Sequence, residues 1–408
     1  MPQPRPTVLI YRRNLLAFSE TFIYRQVRSL TRWNGIVVGT PIEGGIPLDG
    51  LSYRAIQMPD PSTGKVKKKT LADRLRRLVV RSSRSSELPH EAQAARTAKL
   101  IQSQPWFSPL REASPCLLHV HFGTNAEEAW PLAIALKIPM VVTLHGYDAS
   151  VHAECWEAGA RGRRYRRYPS ALRAMAQWGT KFIAVSDVIA EYATSYGLNA
   201  SAMRTIRIGV DTRAIMPGPT AIQTRPRRIL FVGRFVEKKG VEHLIRAFPD
   251  VRSKVPDAEL LIIGEGKLDA DLRSMASDPG VRFAGRQTAD QVLSEMQQAR
   301  VLCVPSIRAS DGDSEGLPTV IPEAQASGLP VVTSDRAGGS EGIIDGVTGI
   351  ALPERDHDAL VRALVRYLTD DAFAASSSTA ARRFAEDKLD MAAQTLALEA
   401  YYDQLAGL

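Results

Sequence analysis

Cysteine is scarce in this chain, and long apolar runs are absent from it. Cys116, Cys155 and Cys303 are the only cysteines in 408 residues, and their wide separation fits neither a zinc site nor a disulfide-stapled domain. No apolar run approaches the roughly 20 residues that span a membrane, and the first residues lack the apolar core of a signal peptide. We therefore expect a cytoplasmic protein that is neither secreted nor integral to a membrane.

What the chain does contain is a regular alternation of strand-like and helix-like segments. Its hydrophobic share of 44% is typical of globular proteins, and its length exceeds what one core usually holds. Short apolar runs predict strands at 7–11, 35–39, 117–121, 140–144 and 181–185, and again at 228–232, 259–263, 281–284, 301–305 and 330–333.

This alternation predicts an α/β protein with two doubly wound domains that face each other across a cleft. The first domain is expected to cover residues 1–215 and the second residues 227–408, with a linker rich in Pro and Gly at 216–226. The last helix of the chain could pack back on the N-terminal domain. Residues 59–115 are predicted to form a basic, polar insertion, with helices near 71–80 and 91–102 and no strand between them.

Charge is distributed unevenly along the chain. Residues 1–215 hold 30 Lys and Arg against 16 Asp and Glu, whereas residues 216–408 hold 22 against 28, so the net charge of +8 hides a basic half and an acidic half. Basic residues cluster at 65–69, 74–84 and 161–167. Such clusters attract anionic lipid headgroups or polyphosphates, at about 1 kcal/mol per basic residue near a membrane, although a solvated charged face is the alternative.

We therefore predict an anionic membrane surface as a partner, with the protein peripheral on the inner face of the cytoplasmic membrane. Nucleic acid is not an expected partner, because no recognised nucleic-acid-binding module accompanies the charge.

The segment Glu315-Gly-Leu-Pro-Thr-Val-Ile-Pro-Glu323 carries the clearest chemistry. It follows the apolar run at 301–305 and predicts strand, loop and helix, with Glu315 on the loop and Glu323 on the helix. Free N–H groups at the start of such a helix favour a phosphate, and carboxylates nearby accept hydrogen bonds from sugar hydroxyls. The arrangement suits a nucleotide sugar.

Four features together resemble the family-4 retaining glycosyltransferases, whose GT-B architecture clasps a nucleotide sugar between two Rossmann-like domains. They are the Glu315 and Glu323 pair and the segments Gly233-Arg-Phe-Val-Glu-Lys-Lys-Gly240, Thr143-Leu-His-Gly-Tyr-Asp148 and Arg207-Ile-Gly-Val-Asp211. Three further segments, at 18–23, 119–123 and 311–318, are similar to those of bacterial exopolysaccharide and colanic-acid-type glycosyltransferases. The resemblance covers most of the chain.

On the donor side, the resemblance assigns Arg234 and Lys239 to the diphosphate, where two cations stabilise the charge that grows on the leaving group. It assigns Glu323 to the ribose hydroxyls and Glu315 to the transferred sugar, and it leaves Lys238 solvated. The backbone N–H groups around Leu317, Thr319 and Val320 are expected to bind the phosphates, with Thr319 as a helix N-cap. The base pocket is expected to be lined by Gly264, Gly285 and Arg286. Ordinary surface charges and simple turns are the alternatives.

On the acceptor side, His145 matches a family histidine that touches the transferred sugar or orients the acceptor, and Asp148 could assist it. The predicted catalytic set comprises His145, Glu315, Arg234 and Lys239. His119 and His121 share one face of a strand, and His121 could approach the acceptor.

The first predicted strand is followed by a departure from the family. Many relatives carry a glycine pair there, and the turn Ser19-Glu20-Thr21 is predicted to replace it, with Ser19 capping the next helix and Glu20 or Thr21 facing the cleft.

Metal and cofactor sites are not predicted. Two histidines on one strand lack a third ligand, and the segment Asp311-Gly-Asp313 begins like a calcium loop whose twelfth position is Pro322 rather than Glu. The resemblance implies no metal, because Arg234 and Lys239 neutralise the diphosphate, and it makes the nucleotide sugar a co-substrate.

The resemblance as a whole implies a hexosyltransferase. The donor would be a UDP- or GDP-sugar, and the acceptor a lipid-linked or oligosaccharide glycan, such as a polyprenyl-diphosphate-linked exopolysaccharide or surface polysaccharide intermediate. Transfer would retain the anomeric configuration. Two alternatives stay open: a nucleotide-sugar epimerase or hydrolase on the same fold, and a catalytically degenerate scaffold that binds sugar nucleotide or membrane.

Overall fold

The computed structural model describes residues 5–16, 20–59 and 89–408. Two parallel sheets form its frame, and helices cover both faces of each. The first sheet contains β1 (Thr7–Asn14), β2 (Asn34–Thr40), β3 (Ser52–Ala55), β4 (Pro115–His121), β5 (Met140–Leu144), β6 (Lys181–Ala184) and β7 (Met203–Thr205), in the order β3-β2-β1-β4-β5-β6-β7.

The second sheet contains β8 (Arg228–Val232), β9 (Glu259–Ile263), β10 (Val281–Gly285), β11 (Val301–Val304), β12 (Val331–Ser334) and β13 (Gly349–Leu352), in the order β10-β9-β8-β11-β12-β13. Neighbouring strands in both sheets are parallel. The prediction of two doubly wound α/β domains is therefore confirmed.

The helices lie between the strands and after them. Those of the N-terminal part are α1 (Thr21–Arg28), α2 (His90–Gln102), α3 (Phe107–Glu112), α4 (Gly123–Leu136), α5 (Tyr147–Ser150), α6 (Ala153–Glu157), α7 (Tyr168–Trp178) and α8 (Asp187–Ser195). The C-terminal part adds α9 (Val241–Lys254), α10 (Asp269–Met275), α11 (Ala289–Gln298), α12 (Val320–Ala326), α13 (His357–Thr369), α14 (Asp371–Phe384) and α15 (Met391–Ala406). None of the described helices is both long enough and apolar enough to cross a membrane.

Helix α2 changes the interpretation of the predicted insertion at 59–115. Ala94, Ala98 and Ile101 of this helix are buried in the main hydrophobic cluster of the N-terminal domain. The part of the segment that the structure describes after residue 88 therefore belongs to that core rather than to an appended insertion. The predicted helix near 71–80 and the basic residues at 65–69 and 74–84 lie outside the described residues.

The final helix, α15, lies against the first sheet although it follows the second domain in sequence. Tyr402 belongs to the same buried cluster as Val8 of β1. The fully buried Glu399 carboxylate accepts hydrogen bonds of 2.7 Å from the backbone N–H groups of Thr31 and Arg32. A buried charge is tolerated where it is hydrogen-bonded in this way, so these contacts anchor the helix to the N-terminal domain.

The topology determines where a ligand can bind. The strand order reverses between β1 and β4 in the first sheet and between β8 and β11 in the second. In open α/β sheets, ligands bind beyond the carboxyl ends of the strands at such a reversal. These edges carry Arg12 and His121 in the first domain, and Arg234 and Lys239 in the second.

Candidate active site

A cleft of about 1000 Å³ lies between the two domains. Its N-terminal wall includes Arg12, Glu20, Phe22, Arg25, Phe122 and His145, and its C-terminal wall includes Arg234, Lys238, Lys239, Glu315, Leu317, Thr319, Val320 and Glu323. The residues assigned by resemblance to the diphosphate, the ribose and the transferred sugar thus line one cavity.

Two lysines hold the Glu315 carboxylate in the cleft wall. Lys238 Nζ lies 3.2 Å from Oε1 of Glu315, and Lys239 Nζ lies 3.0 Å from Oε2. Only 8% of the surface of each of these three residues is exposed. Burial alone would raise the pKa of Glu315, but the two ammonium groups outweigh it and lower the pKa to about 2. Glu315 is therefore ionised at neutral pH.

The expectation that Lys238 is solvated is wrong. Its ammonium also contacts Asp313 Oδ1 at 3.0 Å, so two carboxylates surround it. The reason is the short turn Glu237–Lys239, which directs both neighbouring lysines toward the loop that carries Asp313 and Glu315. Burial tends to lower the pKa of Lys238, but these carboxylates raise it overall.

Lys239 differs from its neighbour in its electrostatic surroundings. Burial lowers its pKa, and the charges of Lys238 and Arg234 add to that effect against the opposing charge of Glu315. Arg234 itself is exposed on the cleft wall. Two cations thus stand on the C-terminal wall where a diphosphate could be held.

Glu323, on α12, faces the N-terminal domain across the cleft. Its Oε1 lies 3.2 Å from NH1 of Arg25, on α1. Burial raises the pKa of Glu323, and the guanidinium of Arg25 partly offsets that increase. Glu323 keeps 25% of its side chain exposed and Arg25 keeps 35%, so a ligand entering the cleft can reach both.

The backbone at the start of α12 was predicted to contact the phosphates, and it lies at the cleft. Leu317, Thr319 and Val320 line the cleft at the point where the helix begins. Thr319 occupies the N-cap position, but its side chain makes no capping hydrogen bond. The predicted capping role of the Thr319 hydroxyl is therefore not seen, although Thr319 does line the cleft.

The residues predicted for the base pocket lie beside the cleft rather than along its wall. Gly264 has a φ of 140°, and a Cβ there would meet the carbonyl oxygen of Gly233 at 1.9 Å, so this position requires glycine for backbone packing. Arg286 forms an ion pair with Glu265. Among the described residues of this region, the cleft wall contains Gln287, Ala289 and Asp290 instead of Gly264, Gly285 and Arg286.

Three histidines form a connected group behind the N-terminal wall. His119 contacts Tyr402 Oη through Nδ1 at 2.5 Å and Thr143 Oγ1 through Nε2 at 2.6 Å. A hydrogen bond of 3.1 Å joins His121 Nδ1 to His145 Nε2. His145 is the member that reaches the cleft.

Burial keeps these imidazoles neutral. It lowers the pKa of His119 to about 3, and it lowers the pKa values of His121 and His145 well below the usual range, with a further contribution from the Arg12 charge. A neutral imidazole has one donor and one acceptor nitrogen. His145 thus faces the cleft as a neutral ring, with Nε2 paired to His121 and Nδ1 buried without a hydrogen-bond partner among the described residues.

Asp148, predicted to assist His145, is bonded to the backbone of the loop that carries this histidine. Its carboxylate is fully buried and accepts hydrogen bonds from the backbone N–H groups of His145 and Gly146 at 2.9 Å and of Gly123 at 2.8 Å. It fixes the loop that positions His145 and does not contact the imidazole ring. Its link to His145 therefore runs through the backbone.

The turn predicted to replace the family glycine pair is only partly described. Ser19 lies outside the described residues. Glu20 is in the N-cap position of α1 without a side-chain capping bond, and it forms an ion pair with Arg12. Thr21 is exposed at the start of α1 and lines a small pocket beside Glu323.

The Asp311-Gly-Asp313 segment binds an arginine of the other domain. Arg161 donates to Asp311 Oδ2 through its Nε at 2.8 Å, and its NH2 lies 3.1 Å from Asp313 Oδ2. Within the described part of the chain, no cluster of potential metal ligands is found. The two carboxylates are accounted for by ion pairs with Arg161 and Lys238.

Sequence reasoning missed three arginines that shape this site: Arg12, Arg25 and Arg161. Arg12 could have been found as the cation at the carboxyl end of β1, where the strand order reverses. Arg25 lies one turn after Thr21 on α1, which is the spacing that places two residues on one helix face. Arg161 was predicted only as part of the basic cluster at 161–167, because its partners Asp311 and Asp313 lie 150 and 152 residues away.

Comparison with known proteins finds a glycosyltransferase family that matches each half of the chain. Residues 70–214 match the family described as Glycosyltransferase Family 4, and residues 226–370 match Glycosyl transferases group 1. A GDP-mannose-dependent alpha-(1-6)-phosphatidylinositol monomannoside mannosyltransferase of Mycolicibacterium smegmatis is 30% identical over 76% of this chain and 79% of that protein. The amylovoran biosynthesis glycosyltransferase AmsK of Erwinia amylovora is 28% identical over 82% and 81%.

A glycogen synthase of Mycobacterium tuberculosis is 31% identical over 67% of this chain, and the match spans 65% of the length of that protein. Solved structures agree on the fold. A sucrose-phosphate synthase from Thermosynechococcus elongatus superimposes with a TM-score of 0.73 at 18% identity, covering 98% of this chain and 99% of that one. Anabaena Alr3699/HepE in complex with UDP-glucose gives 0.71 at 14% identity, covering 98% and 99%.

Proposed function

Because the chain belongs to the family-4 and group 1 glycosyltransferases, we propose that it transfers a hexose from a nucleotide sugar to a glycan acceptor with retention of the anomeric configuration. One observation carries the proposal. Two separate segments of the second domain line the same interdomain cleft. One carries Arg234 and Lys239, and the other carries Glu315 and Glu323.

In this proposal, Arg234 and Lys239 hold the donor diphosphate, together with the backbone at the start of α12. The bond between the anomeric carbon and the diphosphate oxygen breaks, and the electron pair stays on the leaving group. Preorganised cations stabilise that developing charge. The acceptor oxygen forms the new bond on the same face, and its proton passes to an oxygen of the departing phosphate.

Glu323 would accept hydrogen bonds from the ribose, and Glu315 from the transferred sugar. The two lysines within 3.2 Å of Glu315 lower its pKa and keep it an ionised acceptor, whereas Arg25, 3.2 Å from Glu323, only partly offsets the increase in pKa that burial causes there. His145 would orient a hydroxyl from the opposite wall. A neutral imidazole suits that role, because the cation needed by the leaving group is already supplied by the second domain.

For the donor we propose a UDP- or GDP-sugar. The mannosyltransferase relative is named for GDP-mannose, and the HepE structure was solved with UDP-glucose. For the acceptor we propose a polyprenyl-diphosphate-linked exopolysaccharide or surface polysaccharide intermediate. Similarity to the amylovoran glycosyltransferase over 82% of the chain supports this choice.

We also propose that the protein works in the cytoplasm as a peripheral protein of the membrane's inner face. Arg163, Arg164 and Arg166 are exposed on the described surface of the N-terminal domain, which would face the lipid-linked acceptor. Anionic headgroups attract such residues.

The test uses the purified full-length chain. A thermal-shift panel of UDP-, GDP- and ADP-sugars first identifies the donor. Release of nucleoside diphosphate is then measured with and without a synthetic short-chain polyprenyl-diphosphate hexose or an alkyl glycoside, and NMR identifies the anomer of the product. The proposal predicts release that depends on acceptor and a retained anomer. Release at the same rate without acceptor would indicate a hydrolase, and stabilisation by none of the nucleotides would contradict a transferase.

A further inference from the structure

The ammonium group of Lys239 would have to contact two anions, the Glu315 carboxylate and the donor diphosphate. In the structure its Nζ lies 3.0 Å from Glu315 Oε2, whereas the proposed function requires it to bind the donor diphosphate. An ammonium has three N–H donors, but moving toward a diphosphate weakens its contact with Glu315. Glu315 is 8% exposed, so it would then depend on another cation to stay charged.

Lys238 stands where that cation is needed. Its Nζ lies 3.2 Å from the other carboxylate oxygen of Glu315 and cannot leave easily, because Asp313 Oδ1 lies 3.0 Å away and the carbonyl of Ser314 lies 3.4 Å away. Asp313 in turn is held by Arg161 of the N-terminal domain at 3.1 Å. Charges therefore alternate in sign along Arg161, Asp313, Lys238, Glu315 and Lys239.

We infer that Lys238 is a positioning residue for sugar transfer: it keeps the Glu315 carboxylate ionised and in place while Lys239 serves the diphosphate, and Asp313 holds Lys238 in that position. The inference deepens the proposed function and rests on it for the role of Lys239. It also gives the Asp311-Gly-Asp313 segment a purpose other than metal binding. Through Arg161, the arrangement depends on contact between the two domains.

The pH dependence of turnover separates this role from simple structural support. The pKa of Glu315 is lowered by Lys238 and Lys239, which lie on one turn. The other charged or titratable groups of this region are Asp311 and Asp313 on its own loop, Arg161 paired with them, Arg234 on the same wall, and Arg12 and the neutral His145 across the cleft. Without the charge of Lys238, Glu315 keeps only Lys239 as a cationic neighbour, and donor binding would move Lys239 toward the diphosphate. Glu315 should then take up a proton at a higher pH, and the acidic limb of kcat should move upward.

The experiment compares Lys238→Met with Lys238→Arg and with Lys267→Met, an exposed lysine outside the cleft that serves as the matched control. Calorimetry measures the Kd of the free nucleoside diphosphate, and steady-state kinetics measure kcat and its pH profile. For Lys238→Met we expect a Kd within about threefold of the parent, a kcat reduced by about tenfold or more, and an acidic limb moved up by about one pH unit or more. Lys238→Arg should restore most of the loss, and Lys267→Met should change nothing.

Asp313→Asn provides a second variant if Lys238→Met does not fold. It should lower kcat in the same direction by a smaller factor, and it should add nothing in the Lys238→Met background, because both act on one carboxylate. An unchanged kcat and acidic limb in Lys238→Met would overturn the inference. A loss of nucleoside diphosphate binding equal to that of Lys239→Met would also overturn it, since Lys238 would then be a diphosphate ligand. Failure of the parent itself to bind any nucleoside diphosphate would instead contradict the proposed function.

Discussion

Arg25 and Glu323 form an ion pair that joins the two walls of the cleft, with 3.2 Å between NH1 and Oε1. The arginine comes from α1 of the first domain and the glutamate from α12 of the second. The pair uses one carboxylate oxygen of Glu323. In the proposed function the other oxygen accepts from a ribose hydroxyl, so one carboxylate would connect nucleotide binding with contact between the domains.

This pair predicts non-additive effects on nucleotide binding. Arg25→Ala should weaken binding of the free nucleoside diphosphate by about two- to fivefold, because the partly exposed ion pair is screened by water. In a Glu323→Gln background the same change should have almost no effect, since its partner charge is gone. Calorimetry on the four proteins of the cycle measures the coupling. Arg54→Ala replaces an exposed arginine of β3 outside the cleft and is the control, and fully additive losses would rule out the connection.

The two cations of the second domain should dominate binding of the leaving group. Replacing either Arg234 or Lys239 with Ala removes a charge-assisted contact that is typically worth about 1.5–3 kcal/mol. The expected result is donor binding weakened by about tenfold or more and slower turnover. Titration with inorganic diphosphate shows whether the loss concerns the phosphates. Near-parental affinity and turnover in both variants would remove the basis for this assignment.

Buried His119 should make the fold less stable as the pH falls. Its pKa in the folded protein is about 3, whereas an unfolded histidine titrates near 6.5. Between these values the unfolded chain binds a proton that the folded chain does not, so stability decreases with falling pH by about 1.4 kcal/mol per pH unit from this residue.

Urea unfolding of His119→Gln at about pH 7, 6 and 5 tests this dependence. The variant should be less stable at neutral pH but should lose stability less steeply on acidification. His152→Gln replaces an exposed histidine that forms no ion pair within the described residues, and it serves as the matched control. Parallel curves for His119→Gln and the parent would show that His119 does not contribute to the slope.

The basic clusters predict electrostatic binding to membranes. Neutralising Lys65, Lys67, Lys68 and Lys69 together, or Arg163, Arg164, Arg166 and Arg167 together, should reduce sedimentation with anionic liposomes and leave nucleotide affinity unchanged. Binding of the parent should fall as salt rises, because the Debye length shortens from about 10 Å at 0.1 M to about 3 Å at 1 M. Sedimentation of both variants at the parental level would identify these clusters as an ordinary solvated face.

Much of the architecture was predictable because buried parallel strands leave continuous apolar runs. The strands around 228–232 and 301–305 have this pattern, and the structure places both inside the second sheet. The strands β3, β7 and β13 were not predicted. They lie at the sheet edges, where short and partly exposed segments such as Ser52–Ala55 have no apolar run to reveal them.

Some site residues were also predictable from local sequence, and others were not. Arg234, Lys239, Glu315 and Glu323 stand in local motifs, and the structure places all four along the cleft. The burial of Lys238 could not be predicted, because it depends on two carboxylates more than 70 residues away. Asp148 was in the right loop, but whether a carboxylate faces a ring or a backbone N–H group is decided by tertiary packing.

The division of work between the two carboxylates is the centre of the proposed function, and calorimetry on Glu315→Gln and Glu323→Gln tests it most directly. Glu323→Gln should weaken binding of the free nucleoside diphosphate, since it loses the ribose contact. Glu315→Gln should bind that ligand as well as the parent or better, because Lys239 is released from its carboxylate partner, yet it should bind the intact nucleotide sugar less tightly. Equal losses toward the free diphosphate in both variants would contradict this division.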